Sequence, residues 1–185
     1  MRKILASILI LLICPTITGA NPTSTINALG ENGHVLLLRH ALAPGFGDPA
    51  GFDVNDCATQ RNLSAEGVAQ AKAIGAELRA AGLGELTVYT SQWCRCRDTA
   101  TALGLTGPIE HRGLNSFFQD RARRDEIVAD LRGLLASLKN EPPAVLVTHQ
   151  VNIRAVTGQT VRSGEGIIAR IEADGELTAL GRFQQ

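Results

Sequence analysis

The sequence has no excess of charge of either sign, with 18 Lys and Arg against 18 Asp and Glu. A nucleic-acid-binding domain carries a basic surplus, so that partner class is not expected. No segment is of low complexity and no internal repeat recurs along the 185 residues. No apolar run reaches the roughly 20 residues that a membrane span needs. Cysteines are few, at four. Cys94 and Cys96 stand one residue apart with no His at finger-like spacing, so a zinc site is not expected.

What is present begins with an export signal. Arg2 and Lys3 precede an apolar run from Ile4 to Ile13, and Thr18-Gly19-Ala20 offers small residues for cleavage. The run is short and Pro15 follows it, which favours a cleaved leader over an anchor. Cys14 follows the bulky Ile13, which argues against a lipid-modified cysteine. The expected organisation is a signal peptide over 1–20, a loosely ordered polar stretch over 21–32 and one domain over 33–185. Removing the leader leaves 16 basic against 18 acidic residues. Anion binding would then need a local cluster of positive groups. The mature chain is expected to carry no stable membrane span and to be periplasmic or secreted.

Residues 34–38 form a continuous apolar run, as does the stretch from Ala144 to Val147. Such runs suit strands buried on both faces. Residues 41–62 are rich in Gly, Pro and Asp and read as a long functional loop. Ser64 looks like a helix cap before the stripe Val68, Ala71, Gly75, Leu78, and Gly82 and Gly84 end that helix. A strand at 86–90, a helix at 95–103, a short strand at 108–112, a helix at 126–139 and a helix at 151–157 complete the pattern. The tail alternates over 166–180 with a turn at Asp174-Gly175, as a hairpin does. Strands alternating with helices imply an α/β fold: a three-layer α/β/α sandwich around a mostly parallel central sheet, with the hairpin at an edge.

Ligands of open α/β sheets bind at the carboxyl ends of the strands. Those ends carry Arg39 and His40, then Ser91 with Arg95 a turn further on, then Thr148 and His149. Two Arg and two His on one sheet edge would make a cationic pocket. Guanidinium forks match phosphate oxygens in pairs and stay charged. A neutral His with its second ring nitrogen on a backbone carbonyl can attack phosphorus.

These residues resemble a known family. Leu38-Arg39-His40-Ala41 is similar to the Arg-His-Gly signature of the histidine phosphatase superfamily, with Ala in the glycine place. Ser91-Gln92-Trp93-Cys94-Arg95, followed by Thr99-Ala100, resembles its second signature, with Gln in the proline place. Leu63-Ser64, Gly67 and Gln70-Ala71 resemble the start of the intervening helix, and Val147-Thr148-His149 the late His motif. The four in order, spread over residues 34–158, are more specific than any one alone. The resemblance implies a phosphomonoesterase that works without metal or cofactor through a phosphohistidine on His40. Arg39, Arg95 and His149 would bind the phosphoryl oxygens, and water would release phosphate. The substrate would be an extracytoplasmic phosphorylated small molecule, sugar or protein.

The family also supplies a carboxylic acid for the leaving group. Leu114-Asn115-Ser116 and Gln150 occupy its two usual places, so Asp120 is the candidate proton donor and easy leaving groups are favoured. A bridge from Cys57 to Cys94 or Cys96 would pin the long loop beside the pocket; three separate thiols are the alternative. The alternative function is a non-catalytic binder of phosphate esters in the envelope.

Overall fold

The computed structural model describes residues 26–184, so the leader expected over 1–20 lies outside the described residues. Six strands form one sheet in the order β3-β2-β4-β1-β5-β6. They are β1 (His34–Arg39), β2 (Thr87–Thr90), β3 (Thr106–Glu110), β4 (Ala144–Thr148), β5 (Gly166–Ile171) and β6 (Leu177–Phe183). The helices are α1 (Ala65–Ala80), α2 (Cys94–Leu103), α3 (Arg124–Leu138) and α4 (Gln150–Thr157). The first four strands run parallel, and β5 joins β1 antiparallel with β6 as its hairpin partner. The α/β class, the mostly parallel sheet and the edge hairpin are as the sequence implies.

Strand alternation explains the uninterrupted apolar runs. Leu36 and Leu38 face one core with Ile74 and Leu78 of α1 and Leu103 of α2. Val35 and Leu37 face the other, with Leu131 and Leu135 of α3 and Ile153 of α4. Both faces of β1 and β4 are therefore dry, and their central positions are apolar. The Ser64 hydroxyl accepts from the Gly67 amide and caps α1. At Gly75 a Cβ would run into the Leu103 carbonyl, which lets α1 lie against α2.

Three expectations need correction. Of the stretch read as loosely ordered, residues 26–28 are helical, and Ile26 and Leu29 are buried against the α1/α2 core. The strand expected at 108–112 lies at Thr106–Glu110 and is exposed throughout, because it is the sheet edge. Helix α3 begins two residues before the expected start. Among the described residues, no helix is long and apolar enough to cross a membrane.

Cys57 is bonded to Cys94, closing 37 residues of chain and tying the 41–62 loop to the start of α2. Loop-closure entropy assigns such a bond about 4 kcal/mol. The pair Cys57→Ser and Cys94→Ser should lower the melting temperature by several degrees, as should a thiol reductant. Calorimetry with and without reductant checks this, and an unchanged transition would contradict it.

Candidate functional site

Register aligns the strand ends: Arg39 pairs with Thr148 across β1 and β4. His40 follows β1, Ser91 follows β2 and His149 follows β4, so their side chains meet at one edge. The two imidazole rings lie 5.5 Å apart, edge to face. Arg39, His40, Arg95 and His149 all line one cleft of about 610 Å³. A cleft of that size suits a small organic molecule.

His40 is buried, and its Nδ1 lies 2.8 Å from the Ala41 carbonyl oxygen. A carbonyl only accepts, so Nδ1 carries the proton and Nε2 keeps its lone pair. The Ala41 amide donates to the Thr99 hydroxyl, which donates to the Arg95 carbonyl, so α2 holds the strand end in place. Burial first, and the Arg95 charge second, push His40 well below the usual imidazole range. Burial and Arg95 do the same to His149. Its Nδ1 accepts from the Arg95 guanidinium at 3.5 Å, leaving Nε2–H to donate to the Ser91 hydroxyl at 3.0 Å. Ser91 donates onward to Asn115 Oδ1. Both imidazoles are thus neutral near pH 7, one poised to attack and one fixed by a hydrogen-bonded chain.

Arg39 donates to Gln150 Oε1 at 2.7 Å and to the Val161 carbonyl at 3.0 Å. Arg95 is gripped at both terminal nitrogens by Asp48, at 2.7 and 3.2 Å. Each arginine keeps one buried Nε–H without a partner. Orphaned buried donors are costly, and this pair lies on two guanidinium groups that line the cleft with His40.

Two residues here escaped the sequence reading. Asp48 is buried with Arg95 and also accepts from the Trp93 indole and the Arg61 amide. Burial raises its carboxyl, but the Arg95 hydrogen bonds and charge outweigh that and hold it below the usual range. Arg61 donates to the carbonyls of Ala43 and Gly47 and lines the cleft. Nothing in the 41–62 loop distinguishes Asp48 from Asp53 or Asp56 in sequence. Arg61 stands just before the Ser64 cap, where the helix dipole disfavours a cation, and that was the one available signal.

Asp120, the expected proton donor, does not line the cleft. A 3-10 turn over Arg121–Arg123 starts there, and the neighbouring Gln119 and Arg121 line the cleft while Asp120 is exposed. Asn115 and Ser116 occupy the place of an acid without supplying one; Asn115 instead binds the Gln92 amide and side chain. Cys96 is a free buried thiol, pushed up to about 12 chiefly by burial, and so is inert.

The depressed imidazoles tie stability to pH. Between their folded values and 6.5 the unfolded chain binds more protons than the native state. Stability should therefore be full above about pH 6.5 and fall as pH drops below it. Melting temperature from pH 8 to 5 checks this, and bound phosphate should oppose the fall; a rise on acidification would contradict it.

The sequence profile of the histidine phosphatase superfamily (branch 1) matches residues 35–117. Among curated proteins none matches the sequence significantly. The fold is similar to that of the protein histidine phosphatase SixA, solved with tungstate (TM-score 0.61, 18% identity, 82% of this chain and 96% of that one). It is similar to a mycobacterial glucosyl-3-phosphoglycerate phosphatase solved with VO3 (0.59, 17%, 80% and 97%). It also resembles a phosphoserine phosphatase of Entamoeba histolytica (0.58, 11%, 82% and 97%). At these identities the likeness to solved structures is one of fold. The profile match over residues 35–117 and the order of motifs liken this chain to the histidine phosphatase superfamily.

Proposed function

We propose that the protein hydrolyses phosphomonoesters outside the cytoplasm, without a resident metal, through a phosphohistidine on His40. The reading rests above all on the neutral His40, its Nδ1 held by Ala41, between two arginines whose buried Nε–H groups lack partners. In the first step His40 Nε2 bonds to phosphorus and the ester oxygen leaves with its electron pair. Arg39, Arg95 and Arg61 face the phosphoryl charge, which they meet in the transition state as in the ground state, and more strongly in a dry site. His149, held by Arg95 and Ser91, completes the set of groups around the phosphoryl oxygens. Water next displaces His40 and releases orthophosphate.

The Cys57–Cys94 bond supports an oxidising compartment, and with it an exported protein. Relatives of like fold are named for phosphatase activity on a protein histidine and on a sugar-acid phosphate, which supports phosphorylated substrates here. Among the described residues no carboxylate lines the cleft. That one observation also favours a second reading, a binder of phosphate esters that does not turn them over.

Brief incubation with p-nitrophenyl phosphate, an alkaline denaturing quench and peptide mass analysis kept above neutral pH separate the two. Hydrolysis with an acid-labile phosphoryl group on the peptide containing His40 supports the proposal. Tight phosphate binding with neither turnover nor a phosphopeptide would establish the binder instead.

A further inference from the structure

The cleft is far more basic than the chain that builds it. Six arginines line it, namely Arg39, Arg61, Arg95, Arg121, Arg124 and Arg154, and no carboxylate does among the described residues. Asp48 offsets Arg95, so the inner three carry a surplus suited to one phosphoryl dianion. The outer three have no such role. Arg124 pairs with the exposed Asp125, and among the described residues neither Arg121 nor Arg154 makes an ion pair. Arg154 stands one turn beyond Gln150 on α4, about 6 Å along the axis from the residue that holds Arg39.

Beside these cations lies an apolar surface. Phe46 is 87% exposed at the cleft, packed edge to face against Phe118 at 4.8 Å. The Arg121 guanidinium sits 5.5 Å over the Phe118 ring. The outer cleft thus offers positive charge and an aromatic face side by side, and no proton donor for an alcohol leaving group.

We propose that the leaving group is itself a phosphate, and that the substrate is an organic diphosphate cut at its terminal anhydride. This rests on the phosphatase reading above. A phosphate departs as a stabilised anion and needs no protein acid. Its negative charge falls toward Arg121, Arg124 and Arg154, and the organic body it carries lies on Phe46 and Phe118. The bookkeeping closes: His40 Nε2 bonds to the terminal phosphorus while the bridging P–O bond breaks, and the electron pair leaves with the organic monophosphate. Water then breaks the N–P bond, giving orthophosphate and a proton to solvent.

The test compares uridine diphosphate and farnesyl diphosphate with their monophosphates and with p-nitrophenyl phosphate, in the wild type and in R121Q/R154Q. At least one diphosphate should exceed its monophosphate by about 100-fold in kcat/KM, and the double variant should cut the diphosphate to aryl phosphate ratio by about tenfold or more. The inference is overturned by diphosphates no better than monophosphates, or by an unchanged ratio in the variant. Failure of the underlying reading looks different: no p-nitrophenyl phosphate turnover and no phosphoenzyme in the wild type.

Discussion

His40→Ala should abolish the phosphoenzyme and lower p-nitrophenyl phosphate turnover by on the order of 10⁴-fold. The size follows from losing the one imidazole in the cleft, among the described residues, whose ring nitrogen is free to make the covalent bond. His149 cannot replace it, because its Nε2–H is committed to Ser91 and its Nδ1 faces Arg95. The arginines are untouched by the substitution, so phosphate should still raise the melting temperature of the variant. Loss of turnover with retained phosphate binding isolates the chemical step. Turnover within tenfold of wild type would remove His40 from the role of nucleophile.

Arg95→Ala should do two kinds of damage at once. It removes a guanidinium that lines the cleft, worth on the order of 10²–10³-fold in kcat/KM. It also strips Asp48 of its partner. Both side chains of that pair are nearly inaccessible, at 4% and 2%. Breaking a buried ion pair costs about 3–5 kcal/mol, because one charge stays buried alone. Adding Asp48→Asn to the variant should recover part of the stability and none of the activity. Arg95→Lys keeps the charge but not the two-pronged grip on Asp48, so it should fall between wild type and Ala in both measures. Kinetics and denaturant unfolding on the four proteins check this. Equal recovery of stability and activity in the double variant would mean that Arg95 acts only through folding.

The parts of the site carried by regular elements were legible in the sequence. Residues 35–38 and the run from Ala144 to Val147 are apolar at every position, which marks buried central strands, and what ends such a strand lies at the ligand edge. That reasoning reached Arg39, His40 and His149, and the helix after β2 added Arg95. The parts carried by the long loop were not legible. Asp48 reaches Arg95 across 47 positions and Trp93 across 45, and no local pattern encodes such a meeting. Arg61 is fixed by carbonyls of the same loop, whose path depends on the Cys57–Cys94 bond. Asp120 misled for the converse reason: chain proximity to Ser116 said nothing about the 3-10 turn that leaves its carboxylate exposed. The partner of Cys57 was equally open between Cys94 and Cys96, since only the helix phase of α2 decides which thiol faces the loop and which the core.

Crystals grown with orthovanadate give the most direct view of whether these side chains act on a single oxyanion. Vanadium bonded to His40 Nε2, with oxygens on the Nε atoms of Arg39 and Arg95 and on the His149 ring, is the expected result. An anion seated elsewhere in the cleft, or one that leaves His40 or either Nε–H untouched, would contradict the account.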